Sequence, residues 1–450
     1  MILFVFILSL LFIIFTVVKL HLHPFLSMIL ASIIMGIGSQ MNLSSILTNL
    51  CTGFGDTMGD IGILILLGVI LGELLHNSGA TRSIAEKLLS LFGAKNTPLA
   101  INITGYLVCI PVFFDAAFII LLSLLKELAK NSRIPLNVLV CSLSMGMMMT
   151  HAMVIPTPGP LAVAGITGAN IAWFIFYSII ISLPASYVSG ILYGKYLRKH
   201  PAWGVTFDDA LDTDDLTSDV HHPSNALVNG YLGIFLILLP ILLIVTGTIL
   251  KNLISPNHSF YEIVAFLSNT NVILLFTVFF AFFCLRSYLT KSFNDIVTSA
   301  TESVGSIIAI ICAGGGFATV INQSGLGDFL VQSLRSLGIP VIFLAFLLTQ
   351  ILRMGLGSTT VSLVTSAAVV APLIAASGSS PVIIGLAVCA GGIGLCMPND
   401  TSFWTISKFS GFSFNETIKV LTVSGTIAGF TAFILLLILN MFSGILPGLH

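Results

Sequence analysis

The run Cys396-Met397-Pro398-Asn399-Asp400-Thr401-Ser402-Phe403-Trp404 sets a proline, an amide, a carboxylic acid and two hydroxyls inside a long apolar segment. Few structures tolerate that. A chain crossing hydrocarbon must satisfy its backbone polar groups internally. Proline removes one helical hydrogen bond and clashes with the preceding turn. The segment therefore reads as a broken helix whose interruption faces protein or water, not lipid. Ionisable groups at that depth are costly to bury and usually functional. A second stretch, Thr150-His151-Ala152-Met153-Val154-Ile155-Pro156-Thr157-Pro158-Gly159-Pro160, has the same character.

Composition identifies the solvent. Hydrophobic residues make up 56% of the chain and charged residues 8%, against about 25% charged in a soluble domain. Mean hydropathy is +1.08. The chain reads as an all-α polytopic membrane protein. A net charge of -1 without a basic stripe argues against a nucleic-acid partner. The seven cysteines lie mostly in apolar runs with no CxxC pair, so they read as small buried hydrophobes and not as a metal or disulfide framework. The start, Met1-Ile2-Leu3-Phe4-Val5-Phe6, has no basic n-region and reads as a first membrane helix.

The apolar runs follow one plan twice. In the first half the expected spans are Ile2–Val18, Pro24–Gly38 and about 61–76, the last after a Gly- and Asn-rich stretch at 42–59. An amphipathic segment at 81–92 is expected in the membrane interface. Residues 97–132 form two short apolar arms around Pro111-Val112-Phe113-Phe114-Asp115, read as a re-entrant hairpin; two short full spans are the alternative. A broken helix at about 136–168 and a span at 173–193 complete the half. Residues 195–226, with six aspartates between 208 and 219, read as a solvated cytoplasmic linker. The second half repeats the order over 227–450, with a hairpin at about 340–377 and a broken helix at about 382–410. Its hairpin tip is Gly355-Leu356-Gly357-Ser358-Thr359-Thr360.

Five crossings and one hairpin per half make the two repeats inverted in the membrane. Placing Lys19, Lys95, Lys195, Lys199, Arg286, Lys291 and Lys408 in the cytoplasm puts both termini in the periplasm. Two broken helices in corresponding places point to a transporter with its site near mid-membrane. An enzyme would need a constellation such as HExxH or GxSxG, and neither occurs. A channel would conduct without accumulating solute.

Three titratable residues are the candidates for carrying a proton: Asp115, Asp400 and His151. For each acid a helix cap is the plainer alternative; for the histidine it is a satisfied core residue. Glu73, near the end of its span, reads as a local structural pair. Arg353 lies just before the second hairpin tip in an apolar arm; it either receives a carboxylate or pairs with a protein acid. The hydroxyls and backbone of Gly357, Ser358, Thr359 and Thr360 suit an anion or a polyhydroxylated ligand. Phe114, Thr150, Thr157, Gly159, Asn399 and Thr401 complete the candidate substrate contacts. Gly314-Gly315-Gly316 has no Lys-Ser/Thr after it and reads as close helix packing, not as a phosphate loop.

At PVFFDAAF (111–118), HAMVIPTPGP (151–160), GSTTVSLVT (357–365) and PNDTSFW (398–404) the sequence resembles the gluconate permease family, within the ion-transporter superfamily of inverted-repeat carriers. The resemblance covers essentially the whole chain. It implies a bacterial inner-membrane symporter that imports gluconate or a related hydroxy-carboxylate with protons by alternating access. It also implies a homodimer in which a transport unit moves against a scaffold, with no cofactor. D-Serine or another small acid, and Na⁺ as coupling ion, are the alternatives. Thr157 stands where the family often has a histidine, and Thr401-Ser402 where it often has Ser-Gly.

Overall fold

The computed structural model describes residues 2–92, 96–110, 114–132, 134–199, 228–254, 260–326, 340–397 and 400–449. Residues 200–226 of the acidic linker, the second half's counterpart of the amphipathic segment (329–337), and residues 111–113, 398 and 399 lie outside these; residues 195–199, read from sequence as the start of the linker, are helical instead. The described residues are helical with short connections. The first half runs α1 (Ile2–Val18), α2 (Pro24–Gly38), α3 (Leu43–Asn77), α4 (Ala80–Phe92), α5 (Thr97–Val108), α6 (Phe114–Ser132), α7 (Leu136–Met153), α8 (Pro158–Thr167) and α9 (Ile171–Lys199). The second runs α10 (Gly230–Leu253), α11 (Tyr261–Leu267), α12 (Thr270–Leu285), α13 (Phe293–Gln323), α14 (Val341–Leu356), α15 (Thr359–Ser377), α16 (Pro381–Gly391), α17 (Thr401–Ser410) and α18 (Phe414–Met441). Among the described residues six helices are long and apolar enough to cross a membrane, or seven if α11 and α12, bent by 57°, form one span. α1 and α2 are shorter apolar helices.

The third span departs from expectation. α3 begins at Leu43, not near Ile61, and continues for 35 residues, about 52 Å at 1.5 Å per residue. Asn42 caps it, its Oδ1 accepting from Ser44 N at 3.0 Å. Gly53, Gly55 and Gly59 give this stretch poor intrinsic helix propensity. Packing overrides it. Gly53 faces Gly315 and Thr319 of α13, Gly315 faces Thr57, and Gly316 faces Leu50, each too closely for a Cβ. The glycine row of α13 therefore lets two long helices cross at backbone distance. Its first member, Gly314, meets Val364 of α15 in the same way. A Gly315→Leu replacement is expected to destabilise the protein by about 1–3 kcal/mol through overpacking, read as a lowered Tm in detergent.

α4 is amphipathic as expected, and its apolar face is covered by protein. Ala80, Ile84, Ala85 and Leu88 are buried, α10 and α5 pack on the helix, and Lys87 Nζ sits 4.2 Å over the Tyr231 ring. The outer face carries an Arg82–Glu86 pair at 2.9 Å.

Both predicted breaks are present. α7 stops at Met153 and α8 starts at Pro158; α16 stops at Gly391 and α17 starts at Thr401. The turn between α14 and α15 is made by Gly357, whose φ of +67° lies in the left-handed region that favours glycine. α15 lies on α8 and α13, and α17 lies on α6. Each pair of short helices thus meets a broken one.

Candidate functional site

Asp400 is the N-cap of α17. Its Oδ1 accepts from Ser402 N at 2.7 Å, leaving Oδ2 free to pair with Arg353 Nη1. Arg353, in the last turn of α14, is fully buried. Its Nε donates to Gly392 O in the second break at 3.1 Å. Its Nη2 is buried and makes no hydrogen bond among the described residues. The Cys396 thiol lies against both partners. Of the two readings open for Arg353, the structure holds the pairing with a protein acid.

Asp115 occupies the first turn of α6, beside that pair. Thr401 Oγ1 donates to its Oδ2 at 3.3 Å, and Ser402 and Thr405 flank the same carboxylate. Its Oδ1 is buried without a hydrogen-bond partner among the described residues. His151, in the last turn of α7, completes the charged group, within electrostatic reach of Arg353 and Asp400. Sequence positions 115, 151, 353 and 400 thus converge on one place, where α6, α7, α14 and α17 meet.

The remaining candidates divide by what their polar atoms already do. Thr150 Oγ1 donates to Tyr106 O at 2.8 Å, tying α7 to α5. Thr157, at the N-cap position of α8, donates to the carbonyls of Val154 and His151. It fills acceptors orphaned at the end of α7. Ser358 caps α15, with Val361 N donating to its Oγ at 3.4 Å. Thr359 is buried. Gly159 faces Thr360 and Leu363, so the tip carrying Gly357 rests on the first turn of α8. Phe114 is buried and stacks on Phe118 with centroids 6.2 Å apart. Asn399 lies outside the described residues. Glu73 bonds Asn77 Nδ2 at 3.0 Å, a local pair at the end of α3.

Two features escaped the sequence reading. Gln350, one turn before Arg353 on α14, is buried with neither amide atom hydrogen-bonded among the described residues. An amide in an apolar arm was the available signal. The second break is also held from outside: Thr422 Oγ1 of α18 donates to Cys396 O, and Leu395 N donates to Thr426 Oγ1 at 3.3 Å. Nothing local in the sequence marks those two threonines.

Residues 1–442 match the family model described as GntP family permease. The chain belongs to the GntP permease family. The inner membrane permease YgbN of Escherichia coli (strain K12) is 30% identical to this GntP permease over 434 residues, spanning 93% of this chain and 94% of YgbN. A gluconate permease of Pseudomonas aeruginosa (strain PAO1) is 28% identical over 431 residues, covering 94% of each chain. The crystal structure of the Alcanivorax borkumensis YdaH transporter superposes with a TM-score of 0.65 at 15% identity, covering 91% of this chain and 90% of that one. That likeness is one of fold. Membership of the family makes this GntP permease a membrane-embedded multi-pass transporter and not an enzyme.

Proposed function

We propose that this GntP permease imports gluconate or a related small hydroxy-carboxylate with protons, by alternating access. One observation carries the reading: a fully buried arginine pairs with Asp400, and Asp115 and His151 lie near that acid, where the second part of a broken helix begins. Such a guanidinium matches a carboxylate in shape and charge, and the acids beside it can hold a coupled proton. The gluconate permease from Pseudomonas aeruginosa, alike over nearly its whole length, supports the substrate class.

In this account the chain sits in the bacterial inner membrane as a homodimer, with both termini periplasmic. Its halves, 1–194 and 227–450, are inverted repeats joined by a cytoplasmic linker. The ligand binds between the hairpin tips and the breaks, and the transport unit carries it across. Purified protein in proteoliposomes should show counterflow for at least one member of a panel of sugar acids, hydroxy acids and D-serine. An imposed inward proton gradient should drive accumulation, and a protonophore should abolish it. Accumulation that follows a sodium gradient instead would reassign the coupling ion. Flux without counterflow would indicate a channel.

A further inference from the structure

Among the described residues the Arg353 guanidinium is only partly engaged. A guanidinium can offer two parallel N–H donors to one carboxylate. Asp400 brings only Oδ2 to Arg353 Nη1, because its Oδ1 is tied to Ser402 N at the start of α17. Nη1 has only that ion pair, Nη2 is without a hydrogen bond among the described residues, and the Cys396 thiol is the other polar group against this fully buried side chain. A carboxylate arriving from outside carries no such tether and can occupy both Nη positions. It is the better partner, and Asp400 is its competitor.

We propose, building on the acid-transport reading above, that the substrate carboxylate displaces Asp400 from Arg353 and that the Asp400–Asp115 pair takes up one proton as it does so. Before the step, Arg353 neutralises Asp400. After it, Arg353 neutralises the substrate, and the proton neutralises the carboxyl left behind. One anion and one proton enter together, and the site's net charge does not change. The proton is required because a carboxylate stripped of its cation and left beside a second acid, out of water, is costly to keep ionised. Coupling then follows from competition for one guanidinium, with no longer-range signal needed.

Among the described residues the charged and titratable groups facing Asp400 are few. Arg353 comes from α14, Asp115 from α6, His151 from α7 and Cys396 from the break itself. On its own helix, Lys408 lies in the last turn, and at the start of α18 Glu416 is engaged in a capping box with Ser413. His151 is therefore the rival proton host.

The test is the affinity of purified protein for gluconate across a pH series. Wild-type Kd should weaken about tenfold per pH unit on the alkaline side, as one-proton linkage requires. Asp400→Asn should flatten that dependence and bind at least as tightly as wild type at its best pH, since Arg353 is then permanently released. Its counterflow should persist and its proton-driven accumulation should be lost. Asparagine caps a helix as well as aspartate does, so α17 should still form, and size-exclusion profiles check that. Asp400→Asn that is folded yet retains pH-dependent affinity or proton-driven accumulation overturns the exchange. So does folded Asp400→Asn that no longer binds gluconate, or a flat profile in His151→Gln alone. Should Asp400→Asn misfold, proton uptake by wild type on gluconate binding decides: one per gluconate is expected, and none overturns the proposal. Wild-type protein that binds no acid of the panel overturns the transport reading itself, a result distinct from pH-independent binding.

Discussion

Replacing Arg353 with glutamine is expected to abolish accumulation and to cost stability as well. The side chain is completely buried and neutralises Asp400 while holding the carbonyl of Gly392. Removing one member of a buried ion pair leaves an uncompensated charge, a loss of about 3–5 kcal/mol. As an equilibrium factor that corresponds to roughly 10²- to 10⁴-fold. The double replacement Arg353→Gln with Asp400→Asn removes both charges, so it should regain much of the lost Tm without regaining transport. Recovery of uptake in the double variant would show that the guanidinium is structural only. Arg353→Lys separates the two roles further: a lysine can neutralise Asp400 but cannot present a fork to a carboxylate.

The second large effect is expected at Asp115. Its Oδ2 receives the Thr401 hydroxyl and its Oδ1 is buried without a partner among the described residues. Asp115→Asn keeps an acceptor for Thr401 but removes one of the two acids at the start of α17. Leaving buried polar groups wrongly matched costs about 1–3 kcal/mol; a cost of that size falling on the transport step lowers proton-driven uptake by roughly 5- to 150-fold. Counterflow, which needs no net proton movement, should fall less. Initial rates of both processes in the same proteoliposomes check this. Equal losses in both would mean that Asp115 serves the fold or the ligand and not the proton.

Much of the architecture was legible because breaks in apolar segments are chemically loud. Proline, glycine and clustered hydroxyls at 151–160, 357–360 and 398–402 marked the interruptions. Helix ends at Met153 and Leu356 fall at or beside them, whereas α16 stops at Gly391, seven residues before position 398. Local chemistry also explains the caps: Ser358 and Asp400 satisfy first-turn N–H groups that any helix leaves open. What escaped was set by tertiary packing. The stretch before Ile61 looked like a glycine-rich connection, and only the close crossing of α3 with the glycine row of α13 makes it helix. Arg353 could be read as receptor or as structural pair, and sequence spacing could not decide. The pairing depends on where α14 and α17 are carried by the fold. Thr150 and Thr157 stood out as polar residues near a break, yet their hydroxyl donors serve backbone carbonyls. A sequence shows that a hydroxyl is present, not whether it is already engaged.

The most direct measurement follows protons and substrate together in proteoliposomes enclosing a pH-sensitive dye. With no pH gradient imposed, an inward gluconate gradient should acidify the lumen, one proton per gluconate. Wild type and Asp400→Asn should then differ in acidification but not in exchange. Gluconate entering without any pH change in wild type would contradict the account.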